Sequence, residues 1–495
     1  MKHIIIFLLS ASMSAFGQWP QWGRTPERLM HSDATNLVDT FYLAFSTNTG
    51  AFMLKSSVNV AWNTPVGYLT YGNPVVAEGR VLLGTSTYGT KKYTGDRGVL
   101  ICLNESNGAL MWQANVPRSA SGGYLSEYCL GLCSSPTVEY GRAYVTGYNA
   151  EVICYDMMGL SNGNDGPFTN EEQFYAGTNK IKLDAQDGDI IWRFDLFKAF
   201  GIMPHDGYGS NPLIVGDHIF INTGAGITRR HRDRSPYTNG PALIVLNKKN
   251  GELVARDFEN IPTNTVHGNW CSPSLAIVHG KKQILFGGGD GVCYSFDPSP
   301  AHTNTTPKCG MLKKIWSVDL NAIRGTNMRP SDVIATPVCF DNKAYAVLGE
   351  DWTHANRRGL LVCIDAMKTG DLTKTGIIWA YTNITLSVST PAIADGLLYV
   401  SDQGGLVHCL DAATGTLQWT YNTGAPIWQS AIIADGKVFI GNSRGKFFIF
   451  KHDRKVKLMA EVNMKREMAG SPVVSGDTLY VATYGMMYAI RKAGK

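Results

Sequence analysis

From residue 58 to the end of the chain, short apolar runs alternate with turn residues at the spacing of β-strands. One unit recurs. A small residue followed by Pro opens an apolar strand, and a minimal turn leads into a second one. A third strand ends in Asp or Asn, and a Gly turn precedes a strand that carries Trp. The unit is cleanest at Thr390–Val400, Val407–Asp411 and Thr414–Trp419. Repeats open at Asn73-Pro74, Ser135-Pro136, Asn211-Pro212, Ser272-Pro273, Thr336-Pro337, Thr390-Pro391, Gln429-Ser430 and Ser471-Pro472, which makes eight. The last three follow one another at about 40 residues, the size of one four-stranded propeller blade. Turns such as Glu78-Gly79, Tyr140-Gly141, Asp395-Gly396 and Asp435-Gly436 are short enough for two-residue hairpins, which need positive φ.

Trp follows the Asp or Asn by eight residues at Asn104 and Trp112, Asp184 and Trp192, and Asp411 and Trp419. Trp316 and Trp379 take the same place after insertions, and Ala255 and Met459 are degenerate versions. A large indole at a fixed blade position wedges between sheets, so these tryptophans are expected to be structural. The eighth repeat stops at Tyr488–Arg491, before its Trp strand. The missing strand is supplied by Val60–Val66 near the other end, which closes the ring. The expected fold is all-β: an eight-bladed β-propeller of four-stranded antiparallel blades, closed by an N-terminal strand. Its domains are a signal peptide at 1–17, an N-terminal arm at 18–57 lying outside the ring, and the propeller at 58–495.

The first 17 residues combine a basic start at Lys2 and His3, an apolar run Ile4–Leu9 and a small-x-small step at Ala15-Phe16-Gly17. No later stretch reaches the roughly 18 apolar residues of a membrane span. The expected location is periplasmic or secreted. The net charge of +5 is small, and the run Arg229, Arg230, Arg232 and Arg234 reads as a solvated loop, so no nucleic-acid partner is expected.

The Asp-x-x-x-Gly-x-x-x-Trp signature resembles that of the pyrroloquinoline-quinone-repeat propellers, which include quinoprotein alcohol dehydrogenases and an outer-membrane-assembly propeller lipoprotein. The resemblance covers about residues 58–495. Trp19-Pro20-Gln21-Trp22-Gly23, Met203-Pro204-His205-Asp206 and His267–Pro273 look closest to secreted quinone-repeat-like propellers. In the dehydrogenases the resemblance implies a quinone paired with calcium and a disulfide between adjacent cysteines. This chain has no Cys-Cys dipeptide, and the family's calcium ligands find no matching residues.

Of ten cysteines, Cys102, Cys154, Cys363 and Cys409 fall at one equivalent blade position, with Cys293 close to it. Equivalent positions in different blades are too far apart to pair, so these read as small buried hydrophobes. Cys129 and Cys133 are close enough to pair, and Cys271, Cys309 and Cys339 stay unassigned.

In an up-and-down blade the tight first turns lie on one face and the longer loops on the other. Sites concentrate on loops held by a rigid scaffold. The loop-rich face holds Asp351, the candidate catalytic base, and a candidate cofactor-binding set of His205, Asp206, Asn269, Trp270, Arg329, His354 and Gln429. A base beside an orienting Arg, with an aromatic for stacking, suits a quinone-dependent oxidation. Histidines with carboxylates suit a metal instead, and loop-ordering hydrogen bonds are the plainest role for any one of these residues. Gly287–Gly291 lacks the helix and Lys of a phosphate loop and reads as a turn. Asn162-Gly163-Asn164-Asp165-Gly166 resembles the start of a calcium loop but lacks its remaining ligands. Two functions follow. The first is an exported binding or assembly scaffold whose loop-rich face takes a protein, glycan or small molecule. The second is a pyrroloquinoline-quinone-dependent alcohol or sugar dehydrogenase.

Overall fold

The computed structural model describes residues 18–47, 49–87, 93–118, 129–177, 180–227, 235–301, 309–325, 327–349 and 358–493. The signal peptide expected at 1–17 lies outside them. Eight sheets, each built on four antiparallel strands, are arranged as propeller blades. Blade one consists of Val75–Ala77, Arg80–Ser86, Arg97–Asn104 and Leu110–Pro117. Blade eight takes Val473–Ser475, Thr478–Thr483 and Met486–Ile490 from the C-terminus and Val60–Pro65 from near the N-terminus. Val60 pairs with Ile490 and Pro65 with Met486, so the expected ring closure is present.

The hairpin chemistry explains the register. Six first turns have positive φ at both central residues, including Glu78 and Gly79 (52° and 75°) and Asp435 and Gly436 (52° and 67°). That is the mirror-image turn whose twist matches flanking strands. Blades three and eight instead place Gly216 and Gly476 first.

Each blade's outer strand carries a bulge one residue before the Trp position, as between Cys102 and Leu103 opposite Trp112 and Leu110. Counting through the bulge puts Ala460, paired with Ile449, at the Trp position of blade seven. Met459 is the bulge residue, which corrects the sequence-based assignment. The indoles lock neighbouring blades together. Trp62 donates through Nε1 to the Glu105 carbonyl, Trp112 to Met157, Trp192 to Lys248, Trp379 to Ala412 and Trp419 to Asp453, all at 2.8–3.2 Å. The Gly of the signature now has a cause. A Cβ on Gly251 would lie 2.4 Å from the Trp192 ring, and one on Gly415 2.6 Å from Trp379.

The N-terminal arm was expected outside the ring, and the structure corrects this. Trp19 pairs with Val76 on the open edge of blade one's innermost strand. The carbonyls of Pro20, Pro26, Leu29 and Met30 then accept from the backbone N–H groups of Val138, Leu275, Ile393 and Ile433. Each of these amides lies on the innermost strand of its blade, in blades two, four, six and seven. Residues 19–30 of the arm therefore occupy the central channel and satisfy edge groups that would otherwise be unpaired. Trp19, Arg28 and Met30 are fully buried there. Burial lowers the Arg28 guanidinium to about 9, and its Nη2 donates to the carbonyls of Asn211 and Pro212 at 3.0 Å.

All ten cysteines lie among the described residues, and no two form a disulfide, Cys129 and Cys133 included. Cys102, Cys154, Cys293, Cys363 and Cys409 are buried. Besides the loop-rich face, some connections on the face of the tight turns are also long. The third-to-fourth connections of blades two, four and five fold back onto the preceding blade, through the parallel bridges Gln113 with Asp187, Ala255 with Gly310 and Trp316 with Gly370. Among the described residues, no helix is long and apolar enough to cross a membrane.

Candidate functional site

The residues that open the repeats form a belt around the axis. Asn73 donates through N and Nδ2 to Ser135 Oγ (2.9 and 3.0 Å), and Ser135 N donates to Asn211 Oδ1 (2.6 Å). Asn211 donates twice to Ser272 Oγ at 3.0 Å. On the other side Thr336 N reaches Thr390 Oγ1, Thr390 N reaches Ser430 Oγ, Ser430 N reaches Ser471 Oγ, and Ser471 N returns to Asn73 Oδ1 (2.6–3.2 Å). At blade five the Thr336 hydroxyl accepts from Trp22 Nε1 at 3.3 Å, where the arm enters the belt.

Above this belt, on the face of the second-to-third-strand loops, lies a funnel of ≈ 140 Å³. Trp22, Asn73, Asn211, Ser272, Thr336 and Ser471 are among its lining, with Tyr71, Trp270 and Trp428 at its sides. The aromatics extend outward. Tyr71 sits 6.3 Å from Trp428 and 5.9 Å from Tyr484, which sits 6.1 Å from Tyr68. Tyr68 is 71 % exposed.

Beside the funnel, the segments leading into blades three and four bring His205, Asp206 and His267 together. The two Nε2 atoms are 3.1 Å apart, and Asp206 Oδ2 lies 3.4 Å from one and 3.8 Å from the other. Both imidazoles are buried. His205 Nδ1 is 2.8 Å from the Ile227 carbonyl, to which it donates, and Nε2 faces His267. Asp206 holds φ at 59°, an uncommon conformation for a non-glycine residue, and it aims the carboxylate at both rings. Trp270 donates through Nε1 to the His205 carbonyl at 3.0 Å, and its ring meets His267 edge-on at 5.0 Å. Asn269 accepts from Gly289 N at 3.1 Å, and the Asp332 carboxylate accepts from Gly268 N at 3.1 Å. Two imidazoles and a carboxylate in this arrangement can take a divalent ion of the zinc type.

His205, Asp206, Asn269 and Trp270 are thus brought together as the sequence suggests. Arg329 is exposed, and its carbonyl accepts from Arg324 Nη2. Gln429 is buried, with Nε2 donating to the Gly470 carbonyl and Oε1 accepting from Gly441 N. Its amide thereby joins blade seven to the segment leading into blade eight. Asp351 and His354 lie outside the described residues. Sequence reasoning did not pair His267 with His205, although they stand five and six residues before the belt residues Ser272 and Asn211. It also missed a ≈ 520 Å³ cavity between the outer strands of blades one and two. That cavity is lined by Arg97, Arg118, Glu151, Phe174, Arg193 and Asp195, and burial raises Glu151 above the ordinary carboxylate range.

The funnel does not fit the quinone that the fold suggests. It is smaller than the about 300–1,000 Å³ of ordinary ligand sites. Trp22 is part of its wall, and no described residue that lines it is charged, whereas the quinone is a tricarboxylate.

The sequence profile described as outer membrane protein assembly factor BamB matches residues 38–162, 158–421 and 313–495. An outer membrane protein assembly factor BamB from Yersinia pestis is 37% identical over 227 residues, covering 40% of this chain and 52% of the relative. A quinohemoprotein alcohol dehydrogenase from Comamonas testosteroni is 27% identical over 165 residues, covering 30% of this chain and 20% of the relative. The chain thus spans about half, or less, of the curated relatives it matches. Among solved structures, BamB from Moraxella catarrhalis superposes with a TM-score of 0.52 at 14% identity, over 87% of this chain and 98% of that one.

Proposed function

The chain belongs to the family of the outer membrane protein assembly factor BamB, and on that premise we propose that it is a binding scaffold whose loop-rich face docks a protein. The aromatic rim carries this reading. Tyr68, Tyr71, Tyr484, Trp428 and Trp270 surround a shallow funnel whose floor is sealed by the arm. Tyr and Trp dominate the residues that hold protein interfaces together, because each buries a large rigid surface and keeps a polar tip. The name of the Yersinia pestis relative, an assembly factor for outer membrane protein, agrees with a protein partner in an assembly role. The leader-like residues 1–17 support a periplasmic or secreted location.

The dehydrogenase alternative rests on partial likeness to quinohemoprotein enzymes, and the narrow, uncharged funnel argues against it.

Photo-crosslinking tests the scaffold reading. A benzophenone amino acid replaces either Tyr68 or Tyr140, which is 87% exposed on a tight turn of the opposite face. Defined protein adducts from position 68 and none from position 140 support the docking face. Adducts from neither position, or equally from both, reject it.

A further inference from the structure

The third-to-fourth-strand connection of blade two holds a group of carboxylates that the docking face does not use. Asp156 ends the strand Glu151–Asp156, and Asp189 stands just before the strand Ile190–Asp195. Asp156 N donates to the Asp189 carbonyl at 3.0 Å, so backbone pairing sets the two side chains together. The turn Asn162–Gly166 brings in Asp165, whose N–H donates to Asp189 Oδ2 at 3.0 Å. One oxygen from each of the three aspartates lies within 4.8 Å of the other two. Buried Glu171 closes the group. Its Oε2 accepts from Asn164 Nδ2 at 2.8 Å and its Oε1 from Ile190 N at 3.4 Å.

Two observations ask for a cation. The first is charge. Four carboxylates converge, and among the described residues the ion pair made to them is a single one, from Arg142 to Asp156 Oδ2 at 3.4 Å. The second is an orphaned atom. Asp189 is fully buried, and its Oδ1 has no hydrogen-bond partner. A carboxylate oxygen left this way costs on the order of 1–3 kcal/mol or more.

We propose that Asp156, Asp165 and Asp189 bind a calcium ion, with Glu171 and Asn164 bracing the loop around it. An all-oxygen set selects a hard cation over zinc or copper. Ligands carried by a turn and two strand ends suit the irregular geometry that calcium accepts and magnesium does not. The turn supplies Asp165 alone, and the remaining ligands come from strand ends that sequence spacing does not join. An ion there would pin the connection at its root. The same connection rides on blade one, through Trp112 Nε1 on the Met157 carbonyl and Arg97 Nη1 on the Tyr175 carbonyl, and Phe174, Ala176 and Gly177 wall the ≈ 520 Å³ cavity.

The test is a calorimetric titration of chelator-stripped full chain with calcium chloride alone, with hydrogen exchange followed in parallel. Expected is one ion per chain, with Kd between about 10⁻⁶ and 10⁻³ M, and slower exchange within residues 157–189. Asp165 is exposed, so Asp165→Asn should fold normally and weaken binding by about tenfold or more. Asp156→Asn is the second variant and should do the same. No binding up to about 5 mM calcium, or binding unchanged in both variants, overturns the proposal.

Discussion

Trp22 donates its indole N–H to the hydroxyl of Thr336 across 314 residues of sequence, at the point where the belt around the axis would pass from blade four to blade five. The arm is therefore part of the ring's wall, and the indole serves as both filler and fastener. Trp22→Ala should destabilise the protein by about 3–5 kcal/mol. Trp22→Phe keeps most of the bulk and should cost only about 1 kcal/mol through the lost hydrogen bond. Urea unfolding midpoints for the two variants separate these roles. Equal costs would mean that the hydrogen bond, not the packing, holds the arm.

The belt makes a second prediction. Ser135 Oγ accepts both the backbone N–H and the side-chain amide of Asn73. Ser135→Ala leaves two donors near the axis without that acceptor, and the expected loss is about 1–3 kcal/mol. Ser135→Thr keeps the hydroxyl and should recover most of it. The check is the unfolding midpoint of each variant at constant m-value.

Gly251 gives the third. Its φ is 72°, and an added Cβ would fall 2.4 Å from the Trp192 ring of the previous blade. Gly251→Ala should therefore cost about 1–3 kcal/mol or more from backbone strain and overpacking together. Gly79 has a similar φ of 75° but nothing within 4 Å of its added Cβ, so Gly79→Ala isolates the strain. The difference between the two variants in thermal unfolding measures the packing against the indole.

A fourth concerns pH. Asp290 accepts from Tyr294 Oη at 2.6 Å and from Val292 N at 3.2 Å, and burial pushes it up to about 7 from 3.8. Between those values the folded state holds a proton that the unfolded state has released. The stability that Asp290 contributes is therefore full below about pH 4 and is lost as pH rises toward 7. Relative to Asp290→Asn, the wild type should lose at most about 4 kcal/mol across that window. Thermal unfolding of both proteins from pH 4 to pH 8 checks the sign. A constant difference between them would show that Asp290 titrates at its ordinary value.

Much of the fold was legible in the sequence because each blade repeats its own local chemistry. The turn pairs such as Asp435-Gly436 state their φ, the prolines mark the inner strands, and Val60–Val66 has the composition of the strand that blade eight lacks. The arm was not legible, because the partners of Pro20, Pro26, Leu29 and Met30 are backbone amides, which leave no mark on side-chain pattern. The blade-seven slip from Met459 to Ala460 has a similar origin, since a bulge shifts register without changing composition. At the site, His205 and Asp206 stood out by type and by their place before a repeat proline. Their convergence with His267 depends on how two neighbouring blades abut, and no spacing along the chain encodes that.

The seated arm also sets an order on folding. Residues 19–30 precede all the blade strands along the chain, yet their resting places are spread from Val76 to Ile433, and the strand that closes the circle on Ile490 also lies ahead of blade one. A segment that precedes every blade is thus among the last to find its home. Until the eighth blade emerges, Trp19, Trp22 and Met30 have no complete wall to enter. A folding intermediate without its eighth blade would then leave these three side chains unburied, however many of its early blades had formed.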